Sequence, residues 1–307
     1  MKLERLFYLD FVRAIAVMMI VLTHYNSNFI GYNGPVQLNK VVLSEFPFGI
    51  YLGELGVGLF MLISGSALWY VYGERKINYF SFIKKRLFSI LPMFYIAYVA
   101  AFLVNLGLNK GFSTNGISLK YFISTIFGFD GLMNSIGVPN FYLLGEWFLG
   151  MIIIIYFLFP LLKQVVSRSD IMSILFTVLL LIIFSLDIFN GNKIWHFLQL
   201  TIGHVPIFII GMLLQKHINV FKGKIVFFLS IMLLVLNTIF KPNIIPENIQ
   251  MIYICLAFFI ILVTVSSIFN KNHIRQVVNI ISKYSYPIFL THHFITSKIL
   301  SYINIQK

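Results

Sequence analysis

The stretch YLDFVRAIAVMMIVLTHYN, residues 8–26, sets how the rest of the chain is read. It is apolar almost throughout, and only Asp10 and Arg13 carry a full charge. A helix needs roughly 20 apolar residues to cross a hydrocarbon layer about 30 Å thick, and this run supplies them. Lys2 and Arg5 precede it as a positive start. Asp10 and Arg13 interrupt the apolar run and no small-residue cleavage site follows, so it is expected to be a retained first helix rather than a cleaved signal peptide.

Composition extends this reading to the whole chain. Of 307 residues, 59% are hydrophobic and 11% charged, and the mean hydropathy is +0.89. Soluble domains run closer to a quarter charged, and a soluble fold of this length has nowhere to hide so much apolar surface. The 33 Phe and 16 Tyr suit rings that pack helices and sit at membrane interfaces. The net charge of +13 does not indicate nucleic acid, because the basic residues lie in short loops between apolar runs, where they set topology and touch anionic lipid. The one cysteine, Cys255, can form no internal disulfide, and no Cys/His cluster has metal-site spacing. No metal is expected. The bias to Lys, Asn, Ile and Phe points to an AT-rich bacterial genome, hence to a bacterial plasma membrane.

The expected fold is all-α: a polytopic transmembrane bundle of about nine to ten segments, forming one integral-membrane domain over 1–307 with no soluble extension. Candidate segments are 8–26, 49–72, 87–107, 144–163, 171–189, 198–215, 224–240, 250–269 and 283–302. A tenth, 117–131, is interrupted by Gly128 and Asp130 and is read as short or re-entrant. The N-terminus and loop 73–86, with Arg75, Lys76, Lys84, Lys85 and Arg86, are expected on the cytoplasmic side by the positive-inside rule. The positive loops 163–170, 216–224 and 271–283 join them only if 117–131 does not cross fully.

Charge at membrane depth is costly and needs a reason. Arg13 and His24 are 11 residues apart, close to three helical turns, so they share one face and sit roughly 16 Å apart along the axis. They cannot touch, but they can mark the two ends of one polar path. Blander readings stand beside this one: an i,i+3 pair between Arg13 and Asp10, snorkelling of Arg13, and a satisfied interfacial His24. The small residues from Gly56 to Ser64 and Gly65 allow close helix packing. Tyr286, His292 and His293 in the last segment, and Glu146-Trp147 before the mid-chain segment, read equally as interfacial polar groups.

These residues resemble the membrane-bound acyltransferase 3 family. The Arg13 and His24 pair matches its first-helix mark, and Gly56-Val57 through Phe60, Ser64 and Gly65 its second helix. Phe82-Ile83-Lys84-Lys85-Arg86 leading to Pro92 matches its basic loop and third helix. Trp147-Phe148-Leu149 with Tyr156 through Pro160 matches its mid-chain helix, and Tyr284 through Leu290 with His292 its last. The chain departs from the pattern at Ile152 and Ile153, where many members carry an acid, at Gly58, often Asp, and at Ser89, often Arg. The Trp-Phe-Leu version looks more like the members that modify surface polysaccharides.

The resemblance implies acyl transfer, usually of acetyl from acetyl-CoA or another acyl-CoA, to a hydroxyl of an envelope glycan acceptor. It implies His24, His292 and Glu146 as catalytic candidates, and Arg13, Lys85 and Arg86 as holders of the CoA phosphates. Asp10, Trp147, Ser64, Gly65 and Tyr286 are the structural or pocket residues. His24 is expected to act as general base, with His292 orienting it or briefly carrying the acyl group. A transporter or flippase exporting a glycan or small molecule is the alternative from another class. Acceptor-dependent consumption of acyl-CoA separates the two.

Overall fold

The computed structural model of the chain describes residues 4–30, 36–108, 116–141, 144, 147–186, 189, 191–240 and 244–302. Among these residues the fold is all helical, with no strand. In chain order the helices are α1 (Phe7–Asn26), α2 (Leu52–Tyr72), α3 (Tyr79–Leu108), α4 (Phe122–Phe127), α5 (Asp130–Ser135), α6 (Trp147–Arg168), α7 (Asp170–Ser185), α8 (Lys193–Thr201), α9 (Val205–Lys216), α10 (Ile218–Phe221), α11 (Lys224–Phe240), α12 (Glu247–Phe269) and α13 (Asn272–Tyr302).

Among the described residues six stretches are long and apolar enough to cross a membrane: α1, α2, α3, α6, the continuous Lys193–Lys216 stretch of α8 and α9, and α12. That is fewer than the nine to ten segments expected. Helices α7 and α11 form where expected but have 16 and 17 residues. Helix α13 has 31 residues, yet Arg275, Lys283, Lys298 and three histidines lie along it. The doubtful stretch 117–131 folds as a 3-10 turn at Leu119–Tyr121, then α4 and the first two residues of α5. Each of these two helices has six residues, about 9 Å of rise, too short to cross. Gly128 separates them at φ +73°, a left-handed conformation that glycine adopts without steric cost.

Local signals set the helix ends. The Ser169 side chain accepts from the Met172 amide at the start of α7. Asn192 accepts from Ile194 and Trp195 at the start of α8, each satisfying amides with no intrahelical partner. Pro92, Pro160 and Pro287 lie inside α3, α6 and α13, as membrane helices tolerate when neighbouring groups re-satisfy the freed carbonyls.

Helix α1 is the central stave, packing on α2, α12 and α13. The polar ends then sort themselves. Ser282 near the start of α13 bonds Asp10 near the start of α1, while His292 further along α13 lies against His24 near the end of α1. The two helices therefore run in the same direction. Tyr8 donates to Gln215 of α9, Lys216 pairs with Asp170 of α7, and Lys163 reaches the Arg75 carbonyl. The basic loops after α2, α6 and α9, and the start of α13, thus gather at the end of the bundle that holds the start of α1.

The closest crossing is α2 on α9. A Cβ added at Gly65 would sit 2.1 Å from the Phe208 carbonyl oxygen, and one at Gly211 would sit 2.4 Å from that of Leu62. Ser66 Oγ donates to the Gly211 carbonyl at 2.8 Å in the same crossing. Small residues permit this approach, which drives association where lipid is as apolar as the helices themselves. Gly65→Ala is expected to cost about 1–3 kcal/mol by overpacking, read as a lower melting temperature of detergent-purified protein. Gly107→Ala in α3, where nothing lies within 4 Å, is expected to hold or raise it. Equal melting of Gly65→Ala and the parent chain would contradict the close crossing.

Candidate active site

Two polar clusters and an apolar layer lie along the seam between α1 and α13. At the first cluster Asp10 is 3% exposed. Its carboxylate accepts from Arg5 Nε at 2.5 Å and Nη2 at 3.1 Å, from Ser282 Oγ at 2.6 Å and from Arg13 Nη1 at 3.3 Å. The i,i+3 pair considered from sequence is therefore real, but it is one strand of a wider network. A buried carboxylate needs such partners, because an isolated one is strongly disfavoured in a low-dielectric setting.

Tyr156 of α6, half-buried, lies within electrostatic reach of both Arg13 and Arg86. Arg86 donates to the Tyr72 hydroxyl at 3.0 Å and stacks over the Tyr72 and Phe82 rings. Its Nε is buried without a hydrogen-bond partner. Tyr286 neighbours Tyr156 and donates to the Ile90 carbonyl at 3.0 Å, tying α13 to α3. Five helices thus converge on a site rich in guanidinium and phenol, groups suited to phosphate.

The second cluster is made of histidines. The His24 ring centroid is 4.8 Å from that of His292 and 5.0 Å from that of His293. His292 is 5% exposed. Its Nδ1 lies 2.6 Å from the Phe289 carbonyl. A carbonyl can only accept, so Nδ1 carries the proton and Nε2 is the basic atom of the neutral ring. Between the clusters the rings of Phe60, Phe148 and Phe289 pack at 5.1–5.9 Å, beside Val17, Ile20 and Val57. Among the described residues no group of three or more His, Cys, Asp or Glu is placed to hold a metal ion.

Residues 6–307 match the model of acyltransferase family 3, an acyltransferase domain. The chain belongs to this family. No curated protein and no solved structure matches it. The acyltransferase is a multi-pass membrane protein, as its apolar helices and its family together require.

In this acyltransferase the structure unites most of the residues singled out from sequence, though not all. Arg13, Asp10, Arg86 and Tyr286 meet at one end, and His24 and His292 at the other. Lys85 is exposed. Trp147 packs its ring against His204 at 5.2 Å, and Gly65 serves the α2–α9 crossing beside half-buried Ser64. Glu146 lies outside the described residues. Two of the family departures lie at packed positions, while Ser89 is exposed. Ile152 and Ile153 are core residues, 5% and 2% exposed. Gly58 faces Cys255, whose Sγ would sit 2.3 Å from a Cβ there, so no aspartate fits.

Sequence reading did not single out Tyr156 beyond its family motif, nor His204 or Glu45. Asn26 holds the Val42 backbone through both its amide nitrogen and oxygen, at 2.9 and 3.0 Å. This pins the α1–α2 connection over the histidine end, with Glu45 buried beside Asn26 and its carboxyl raised by burial. Only the spacing of Tyr156 from Trp147 along one helix, nine residues or two and a half turns, could have been weighed in advance. Asp130, also buried, is satisfied by Ser124 and Thr125 hydroxyls at 2.6 and 2.7 Å.

The Asp10 network gives a stability test. Asp10→Ala leaves half-buried Arg13 without its carboxylate and is expected to cost up to about 3 kcal/mol. Adding Arg13→Ala should restore part of that loss, because the uncompensated charge goes with it. Thermal melting of the two single variants and the double variant checks this; additive losses would mean that the pair is not coupled.

Proposed function

We propose that this acyltransferase moves an acyl group, most simply acetyl, from a cytoplasmic acyl-CoA to a hydroxyl of a cell-envelope glycan or glycan precursor, within the bacterial plasma membrane. The observation that carries the reading is the meeting of His24 and His292, 268 positions apart in the chain, at 4.8 Å. In this reading α7, α11 and α13 cross along with the six longer stretches. Nine crossings with 117–131 short keep every strongly basic loop on the cytoplasmic side. The whole of 1–307 acts as one membrane domain.

The division of labour follows from the two clusters. Arg13 and Arg86 hold the phosphates of the donor, with exposed Lys85 adding attraction at the mouth. The thin, uncharged pantetheine arm extends through the phenylalanine layer above them. At the far end His24 takes the proton of the acceptor hydroxyl as that oxygen attacks the thioester carbonyl. The C–S bond breaks, the new C–O bond stays with the glycan, and the proton passes from His24 to the departing thiolate. His292, its tautomer set by the Phe289 carbonyl, orients His24. Asp10 positions Arg13, while Trp147 and Tyr286 shape the two ends.

His24→Ala is expected to lower acyl transfer by at least about 10²-fold while insertion and expression stay unchanged. Arg13→Ala is expected to weaken acyl-CoA binding. Mass spectrometry of envelope glycans from cells with each variant, with acyl-CoA titration of the purified proteins, checks both. Retained activity in His24→Ala removes the catalytic assignment, and unchanged binding in Arg13→Ala removes the phosphate role.

A further inference from the structure

A cavity of about 490 Å³ opens beside the start of α1, sharing only Arg5 with the site described above. Three cations from three separate elements line it: Arg5 ahead of α1, Lys222 between α10 and α11, and Arg275 in α13. No carboxylate lines it. Lys222 and Arg275 form no ion pair among the described residues, and the one acid that Arg5 holds, Asp10, is shared with Arg13. Lys222 lies 4.3 Å over the Tyr8 ring. Burial pushes its ammonium down from the ordinary value, so the charge is disfavoured there until an anion joins it. Ser266, Ser267 and Asn270 supply neutral hydrogen-bonding groups, and Leu6, Phe7 and Val263 supply an apolar wall.

We propose that this cavity binds a phosphate-bearing anion at the cytoplasmic end of the bundle: the headgroup of an anionic phospholipid or a soluble phosphate. Three cations converge and only Arg5 among them has an acid partner, Asp10; the unpaired Lys222 and Arg275 call for a polyoxyanion, and guanidinium groups match its geometry. Basic pockets between membrane helices at the cytoplasmic side take phospholipid headgroups in this way. The proposal rests on the placement of these side chains and on the gathering of basic loops, not on the acyl-transfer reading.

The test uses full-length protein in nanodiscs. Two ligands are compared: phosphatidylglycerol mixed into phosphatidylcholine, and inorganic pyrophosphate added to phosphatidylcholine alone. Saturating ligand is expected to raise the melting temperature of the parent chain by about 5 °C. Lys222→Gln/Arg275→Gln is expected to lose that rise. Lys224→Gln/Lys271→Gln, which alters nearby cations outside the cavity, is expected to keep it. A rise with the lipid alone assigns a headgroup, with pyrophosphate alone a soluble phosphate, and with both the shared chemistry. No rise with either, an equal rise in the cavity variant, or loss of the rise in the control variant overturns the site. Should the double variant not fold, Lys222→Gln and Arg275→Gln singly are judged by the same criterion.

Discussion

The carboxylate of Asp10 is the constraint on which the rest depends. A buried charge must find partners or its cost becomes prohibitive, and here the partners are two arginines and the Ser282 hydroxyl. That requirement fixes α13 against α1 in one register. Given two helices running in the same direction from Asp10 and Ser282, the segments that follow rise together. Ten residues beyond Ser282 and fourteen beyond Asp10, His292 and His24 reach the same level and meet.

The clusters differ in kind, and the layer between them explains why they stay apart. One end offers fixed positive charge and phenol, which suits binding an anion. The other offers neutral-pH bases in a buried setting, which suits proton transfer. Three packed phenylalanines between them give a low-dielectric stretch that neither charge nor bulk water crosses readily. The acyl transfer proposed above, with its donor taken from one side and its acceptor met at the other, uses this order of parts.

Much of this was legible in the chain. Apart from α3, which begins eight residues before the run that marked it, and α13, apolar runs located the main helices to within about five residues, and the spacing of Arg13 and His24 placed them on one face. The pairing of α1 with α13 was not legible from physics, because contacts between residues some 270 positions apart leave no local trace; the family resemblance alone linked His24 with His292. Helix length also escaped the pattern. Helix α13 continues well before residue 283, because a solvated, charged first half needs no apolar signal to be helical. The loss of Asp at position 58 is explained only by Cys255, which packing brings from α12.

The central claim is that His24 and His292 work as one unit. The direct measurement is acyl-CoA consumption by purified protein with an envelope glycan extract as acceptor, in His24→Ala, His292→Ala and the double variant. The account predicts that removing both costs little more than removing His24 alone, as expected of residues acting together. Losses that simply multiply, or full activity in His292→Ala, would contradict it.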